Sequence, residues 1–147
     1  MSNSTPFSEA PVNIRVKLAG LWTAVMFCYI YGDYFELYLP NKVAGLLDGN
    51  NLLNTPTTLL LATIMLSIPA LLIFLNLVLK PQVCRWLNII WGVFFTAIMA
   101  LIAATSLTAW RAFYVYLALV ECVLTALVVW YAWRWPREGE TKSTSLT

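Results

Sequence analysis

Four long apolar runs, near residues 18–39, 56–79, 83–106 and 108–131, take up most of this 147-residue chain. Each is close to the ~20 residues that an α-helix needs to cross a hydrocarbon core of about 30 Å. No water is available there to satisfy backbone N–H and C=O groups, so a single lipid-embedded run of this kind must be helical. Buried helices of a soluble bundle would each carry a polar face, and these runs are apolar nearly all round. Composition agrees: 61% of the residues are hydrophobic and 11% are charged, against roughly 25% charged in soluble domains. The expected fold is an all-α integral membrane four-helix bundle, up-down-up-down, in one domain over residues 16–135. Polar tails are expected at 1–15 and 136–147. The first of these, "MSNSTPFSEAPVNIR", lacks the basic, apolar and small-residue order of a secretory signal.

With four crossings both termini lie on one side, and the basic residues can be summed by side. Arg15, Lys17, Lys80, Arg85, Arg134, Arg137 and Lys142 fall with the termini, and Lys42 and Arg111 fall opposite. Seven against two favours the termini and the connection between the second and third helices in the cytoplasm, with the chain crossing the membrane four times. In "NTPTT", Thr55 is expected to cap the second helix with Pro56 in its first turn. Pro69 removes a backbone hydrogen bond near mid-span, where a kink is expected unless the freed carbonyl is satisfied. The short "LKPQVC" makes the second and third helices antiparallel neighbours. The longest connection, "NKVAGLLDGNNLLN", contains a "VAGLL" stretch suited to the membrane surface and a "DGNN" turn. Trp22, Tyr34, Tyr38, Trp86, Trp110 and Trp130 lie near expected helix ends and read first as interfacial anchors.

Three sets of polar residues interrupt this pattern. Asp33 and Glu36, three apart, share a helix face and lie about 9 Å and 5 Å below an outer helix end at Leu39, at ~1.5 Å per residue. They are either interfacial carboxylates capped by Arg111, or an acidic mouth lined by Tyr29, Tyr34 or Tyr38 that attracts a cation. Glu121 is close to the midplane, where a lone carboxylate costs ~2.5–3.5 kcal/mol. Its face of the fourth helix carries Arg111, Tyr114, Ala118, Glu121, Thr125 and Ala132, a small and polar stripe that suits a bundle-facing side. A neutral, hydrogen-bonded acid is the bland account of Glu121; handling of a proton, ion or ligand is the sharper one. On the cytoplasmic side, Asn76, Arg85 and Asn88 form either an interhelical clasp with a snorkelling arginine or the inner end of a polar path through Glu121 to Asp33.

Several function classes are excluded or weakened. The net charge is +2, with no basic run, so nucleic acid is not an expected partner. There is no histidine, and Cys28, Cys84 and Cys122 are isolated, so no metal site and no cofactor are expected. No phosphate-cradling glycine loop, nucleophile elbow or Ser/His/Asp set is present.

The stretches "LWTAVMFCYIYGDYFELYLP", "IPALLIFLNLVL", "RWLNIIWGVF" and "ECVLTALVVWYAWRWP" together resemble a family of small four-helix bacterial membrane proteins catalogued only as a domain of unknown function. The resemblance runs from about Val16 to Pro136. It implies a bacterial inner-membrane bundle in which Asp33, Arg85, Trp86, Asn88 and Glu121 match recurrent polar positions, and it brings no activity with it. The function must therefore be argued from the residues. The leading expectation is an intramembrane polar pocket around Glu121, with Asp33 and Arg111 above it, that binds or passes a small cation, a proton or an amphipathic molecule. A chain this short seldom encloses a pathway alone, which leaves a homodimer open. The alternatives are a structural or accessory subunit with no flux of its own, and a membrane-embedded enzyme acting on a lipid or quinone through Glu121 or Asp33.

Overall fold

A computed structural model describes residues 11–49 and 51–136. Of the expected tails at 1–15 and 136–147, residues 1–10 and 137–147, with Arg137 and Lys142, lie outside the described residues, as does Asn50 of the "DGNN" turn. All regular elements among the described residues are helical.

Helix α1, Ile14–Glu36, is displaced toward the N-terminus relative to the apolar run 18–39. Its start is fixed by Asn13, whose side chain accepts the Arg15 N–H at 2.9 Å, an arrangement that satisfies one orphan donor of the first turn. Its end is fixed by the following chain. The N–H groups of Leu37, Tyr38 and Leu39 bond back three residues, and Pro40 biases Leu39 out of the helical region. Asn41 then takes a left-handed conformation, φ 61°, which asparagine tolerates better than most residues. The "VAGLL" stretch forms a short helix, α2 (Lys42–Leu47), with no buried residue.

Helix α3 spans Pro56–Val78, with Thr55 and Thr58 forming a reciprocal capping pair and Pro56 in the first turn. It is continuous through Pro69. Proline has no N–H to offer the carbonyl four residues back, so the carbonyl of Met65 lacks its helical donor. Leu79 and Lys80 alone separate α3 from α4 (Pro81–Thr105), which forces the two antiparallel. A 3₁₀ turn at Ala109–Arg111 precedes α5 (Ala112–Trp133), so the last helix begins later than the apolar run at 108.

Helix α3 packs beside α1, α1 beside α5, and α5 beside α4, whereas α3 and α4 approach one another closely at only a few points. The Arg15 side chain donates to the Leu77 carbonyl at 3.3 Å, and Arg85 donates to the Trp133 carbonyl at 3.4 Å. The start of α1, the end of α3, the start of α4 and the end of α5 thus gather at one end of the bundle, and Glu36 and Arg111 meet at the other. Because lipid is as apolar as the side chains, helix association in a membrane relies on close packing and interhelical hydrogen bonds. Both occur at the α4–α5 seam. A Cβ on Gly92 would lie 2.7 Å from a Val129 methyl, and the Thr96 and Thr125 hydroxyls bond one another at 2.7 Å.

Leu18, Trp22, Val25, Leu72, Phe95 and Val128 form the core. Trp22 is therefore not the interfacial anchor expected of it: with α1 beginning at Ile14, it sits about 12 Å inside the helix at ~1.5 Å per residue and is fully buried. The outward faces carry Phe27, Ile30, Leu60, Leu61, Ile64, Phe74, Ile90, Leu101 and Val123. A continuous apolar surface of this kind far exceeds what a soluble monomer exposes, and all four long helices have the length and composition to cross a bilayer. The protein is a multi-pass membrane protein.

Candidate functional site: an acidic cavity within the bundle

A cavity of about 220 Å³ lies where α3 and α4 part, walled by all four long helices. From α1 come Tyr29, Gly32 and Asp33, and from α5 come Tyr114, Ala118 and Glu121. Helices α3 and α4 add an apolar wall that includes Met65, Phe95, Ile98 and Met99. The Tyr114 ring lies against α1 at Gly32, where a Cβ would meet it at 3.6 Å, an ordinary van der Waals contact.

The polar groups descend in steps from the Glu36 end. Asp33 is three residues from the end of α1, shallower than an end at Leu39 implied, and Tyr114 is two residues into α5. Tyr29 follows, and Glu121, nine residues into α5, lies about 14 Å down at ~1.5 Å per residue. Glu121 is 4% exposed. Beyond the helical backbone bonds, the one hydrogen bond it accepts among the described residues is at its backbone carbonyl, from the Thr125 hydroxyl at 2.8 Å. Its carboxyl, like that of Asp33, has no hydrogen bond or ion pair with any described residue. The Tyr29 hydroxyl is sealed from solvent and also has no partner. Buried polar groups are nearly always hydrogen-bonded, so two side chains, Glu121 and Tyr29, with no side-chain partner among the described residues beside one small space are an unusual arrangement; Asp33, nearer the mouth, is exposed.

The nearby cations are engaged elsewhere. Glu36 accepts from Lys42 at 2.8 Å and pairs with Arg111 at 3.6 Å. Asp33 and Glu36 are three apart on α1, but Asp33 lines the cavity while Glu36 turns to this ion cluster outside it. Arg111 is likewise off the cavity wall and does not cap Asp33, because the 3₁₀ turn that carries it precedes α5 and directs it to Glu36. Tyr34 and Tyr38 bond each other at 2.7 Å on the exposed surface.

Beneath Glu121 the interior closes. The Trp22 and Phe95 rings meet edge to face with centroids 5.9 Å apart, and both are fully buried. Below them is a separate amide cluster. Asn88 Oδ1 accepts the Trp22 indole N–H at 2.7 Å and the Asn76 amide at 3.3 Å, while its Nδ2 donates to Asn76 Oδ1 and to the Cys84 carbonyl. Arg85, although three residues from Asn88, is outside this cluster: its guanidinium lies 6.0 Å from the Trp133 ring centroid. The expected path from Asn76, Arg85 and Asn88 through Glu121 to Asp33 is thus interrupted by aromatic packing. Two contributions had no signal in the sequence, namely the Trp22 bond to Asn88 and the α3 and α4 walls of the cavity, because apolar wall residues look like any other residues in a span.

Fold and site together define a small helical membrane protein with a buried acid, Glu121, whose carboxyl is unpaired among the described residues. The chain belongs to the Family of unknown function (DUF6326), which matches residues 9–142. No curated protein matches the chain, and no solved structure does.

Proposed function

We propose that this protein binds a small organic cation with an apolar body in the cavity between α1, α3, α4 and α5. The observation that carries the reading is that buried Glu121, with Asp33 nearer the mouth, meets no countercharge among the described residues in a space whose remaining lining is mostly apolar. An ammonium group supplies the missing charge and donors, and the Tyr29 and Tyr114 rings offer further attraction through their π faces. The apolar remainder of the ligand packs on Phe95, Met99 and Ile98. In this proposal the Glu36 end faces out of the cell and both termini face the cytoplasm, following the excess of basic residues at the Arg15 end. A homodimer enters it only as a means of opening the floor for passage, since one chain supplies every wall.

The test is phenethylammonium binding to the purified full chain in nanodiscs, followed by tryptophan fluorescence. Glu121→Gln is expected to weaken binding about thirtyfold or more, the ~2 kcal/mol and upward lost when one partner of a buried charge pair is truncated. Far-UV circular dichroism should be unchanged. Equal affinity in a folded Glu121→Gln protein would refute the reading.

A further inference from the structure

At the opposite end from the acidic mouth, a groove of about 1280 Å³ runs between the first turns of α4 and the chain that follows α5. Among the described residues its charged lining is Lys80 and Arg85, with no acid. Arg85 is held in place on one side only. It donates to the Trp133 carbonyl at 3.4 Å, and among the described residues its buried Nε has no partner and no ion pair meets its charge. The first turn of α4 adds backbone donors, because Lys80 at the N-cap provides no side-chain cap and the positive end of the helix dipole points there.

The rest of the groove has a different character. Trp86, 57% exposed, and Trp135 flank it, and Leu87 and Ile90 continue it along α4. Ile90 is nine residues past Pro81, about 14 Å farther into the bilayer at ~1.5 Å per residue. Basic and N–H groups at headgroup level, indoles at the interface and an aliphatic strip descending into hydrocarbon follow the chemistry of a phospholipid from end to end. A soluble anion would use only the first of these. We propose that this groove binds an anionic phospholipid, with its phosphate between Lys80, Arg85 and the start of α4, and an acyl chain along Leu87 and Ile90. The proposal is independent of the cation cavity, with which it shares no residue.

The experiment is native mass spectrometry of the full chain released from micelles containing phosphatidylglycerol or phosphatidylcholine of matched acyl chains. The wild type should retain phosphatidylglycerol in preference. Lys80→Gln and Arg85→Gln should each lower that retention about fivefold, the effect expected of one basic residue near an anionic surface, and leave phosphatidylcholine unchanged. Arg85→Lys should restore part of it. Lys80→Gln decides the matter should Arg85→Gln loosen the α4–α5 contact, because the Lys80 side chain bonds to no other described element. Excess inorganic phosphate should not displace the lipid. Equal retention of the two lipids, or undiminished phosphatidylglycerol on Lys80→Gln, overturns the proposal. Full displacement by phosphate overturns it too, by reducing the site to one for a simple anion.

Discussion

Replacing Asn88 by alanine should be among the most damaging single changes in this bundle, and its cost follows from the bonds at that residue. Asn88 is fully buried and ties α4 to α1 through the Trp22 indole and to α3 through Asn76. Interhelical side-chain bonds in a membrane average about 0.6 kcal/mol and reach about 1.7, so two such links represent roughly 1–3 kcal/mol. The Trp22 N–H and the Asn76 amide would also be stranded in a dry interior, where an unmet donor or acceptor costs about 1–3 kcal/mol. The two figures overlap, and a destabilisation of about 2–4 kcal/mol is expected. Steric trapping of the chain in bicelles measures it directly. Asn76→Ala should cost less, because Trp22 keeps its acceptor. The double mutant should be little worse than Asn88→Ala, giving a coupling of about 0.5 kcal/mol or more. A loss below about 0.5 kcal/mol for Asn88→Ala, or additivity of the two single changes, would refute the assignment of this cluster as the link between three helices.

Gly92→Ala places a methyl 2.7 Å from Val129 and should cost about 1–3 kcal/mol by overpacking. Gly20→Ala, with nothing within 4 Å, should be neutral or gain up to ~1 kcal/mol from helix propensity; thermal melts in detergent compare the two. Lys42→Gln breaks a partly exposed ion pair and should change stability by less than about 1 kcal/mol, with phenethylammonium affinity unaltered in the nanodisc assay because Glu36 lies outside the cavity. Asp33→Asn should weaken phenethylammonium binding less than Glu121→Gln does, since a shallow, exposed carboxylate interacts through a higher effective dielectric.

The four spans were legible because a bilayer imposes length and apolarity on every crossing segment at once. The buried side of α5 was legible as well: small and polar residues recurring at Ala118, Glu121, Thr125 and Ala132 have little reason to face acyl chains. Spacing failed at finer resolution. Residues three apart on a helix are separated by about 60° around its axis, close enough to be grouped on one face. That angle nonetheless places Asn88 in the core and Arg85 at the rim, and Asp33 on the cavity and Glu36 in an ion cluster. The position of Trp22 was missed for a related reason, since an asparagine cap five residues upstream of the apolar run moved the whole register inward. The α3 and α4 walls left no trace in the sequence because what distinguishes Met65 or Phe95 from other span residues is the partner they lack or meet.

One indole links the two halves of the interior: its N–H is tethered to the amide cluster, and its edge rests on the ring that floors the cavity. A perturbation at either place must travel through that single rigid side chain. Occupancy of the cavity and the tightness of the helix ends around Arg15 are therefore mechanically joined, and a probe on the α3–α4 turn should sense a molecule lodged half a membrane away.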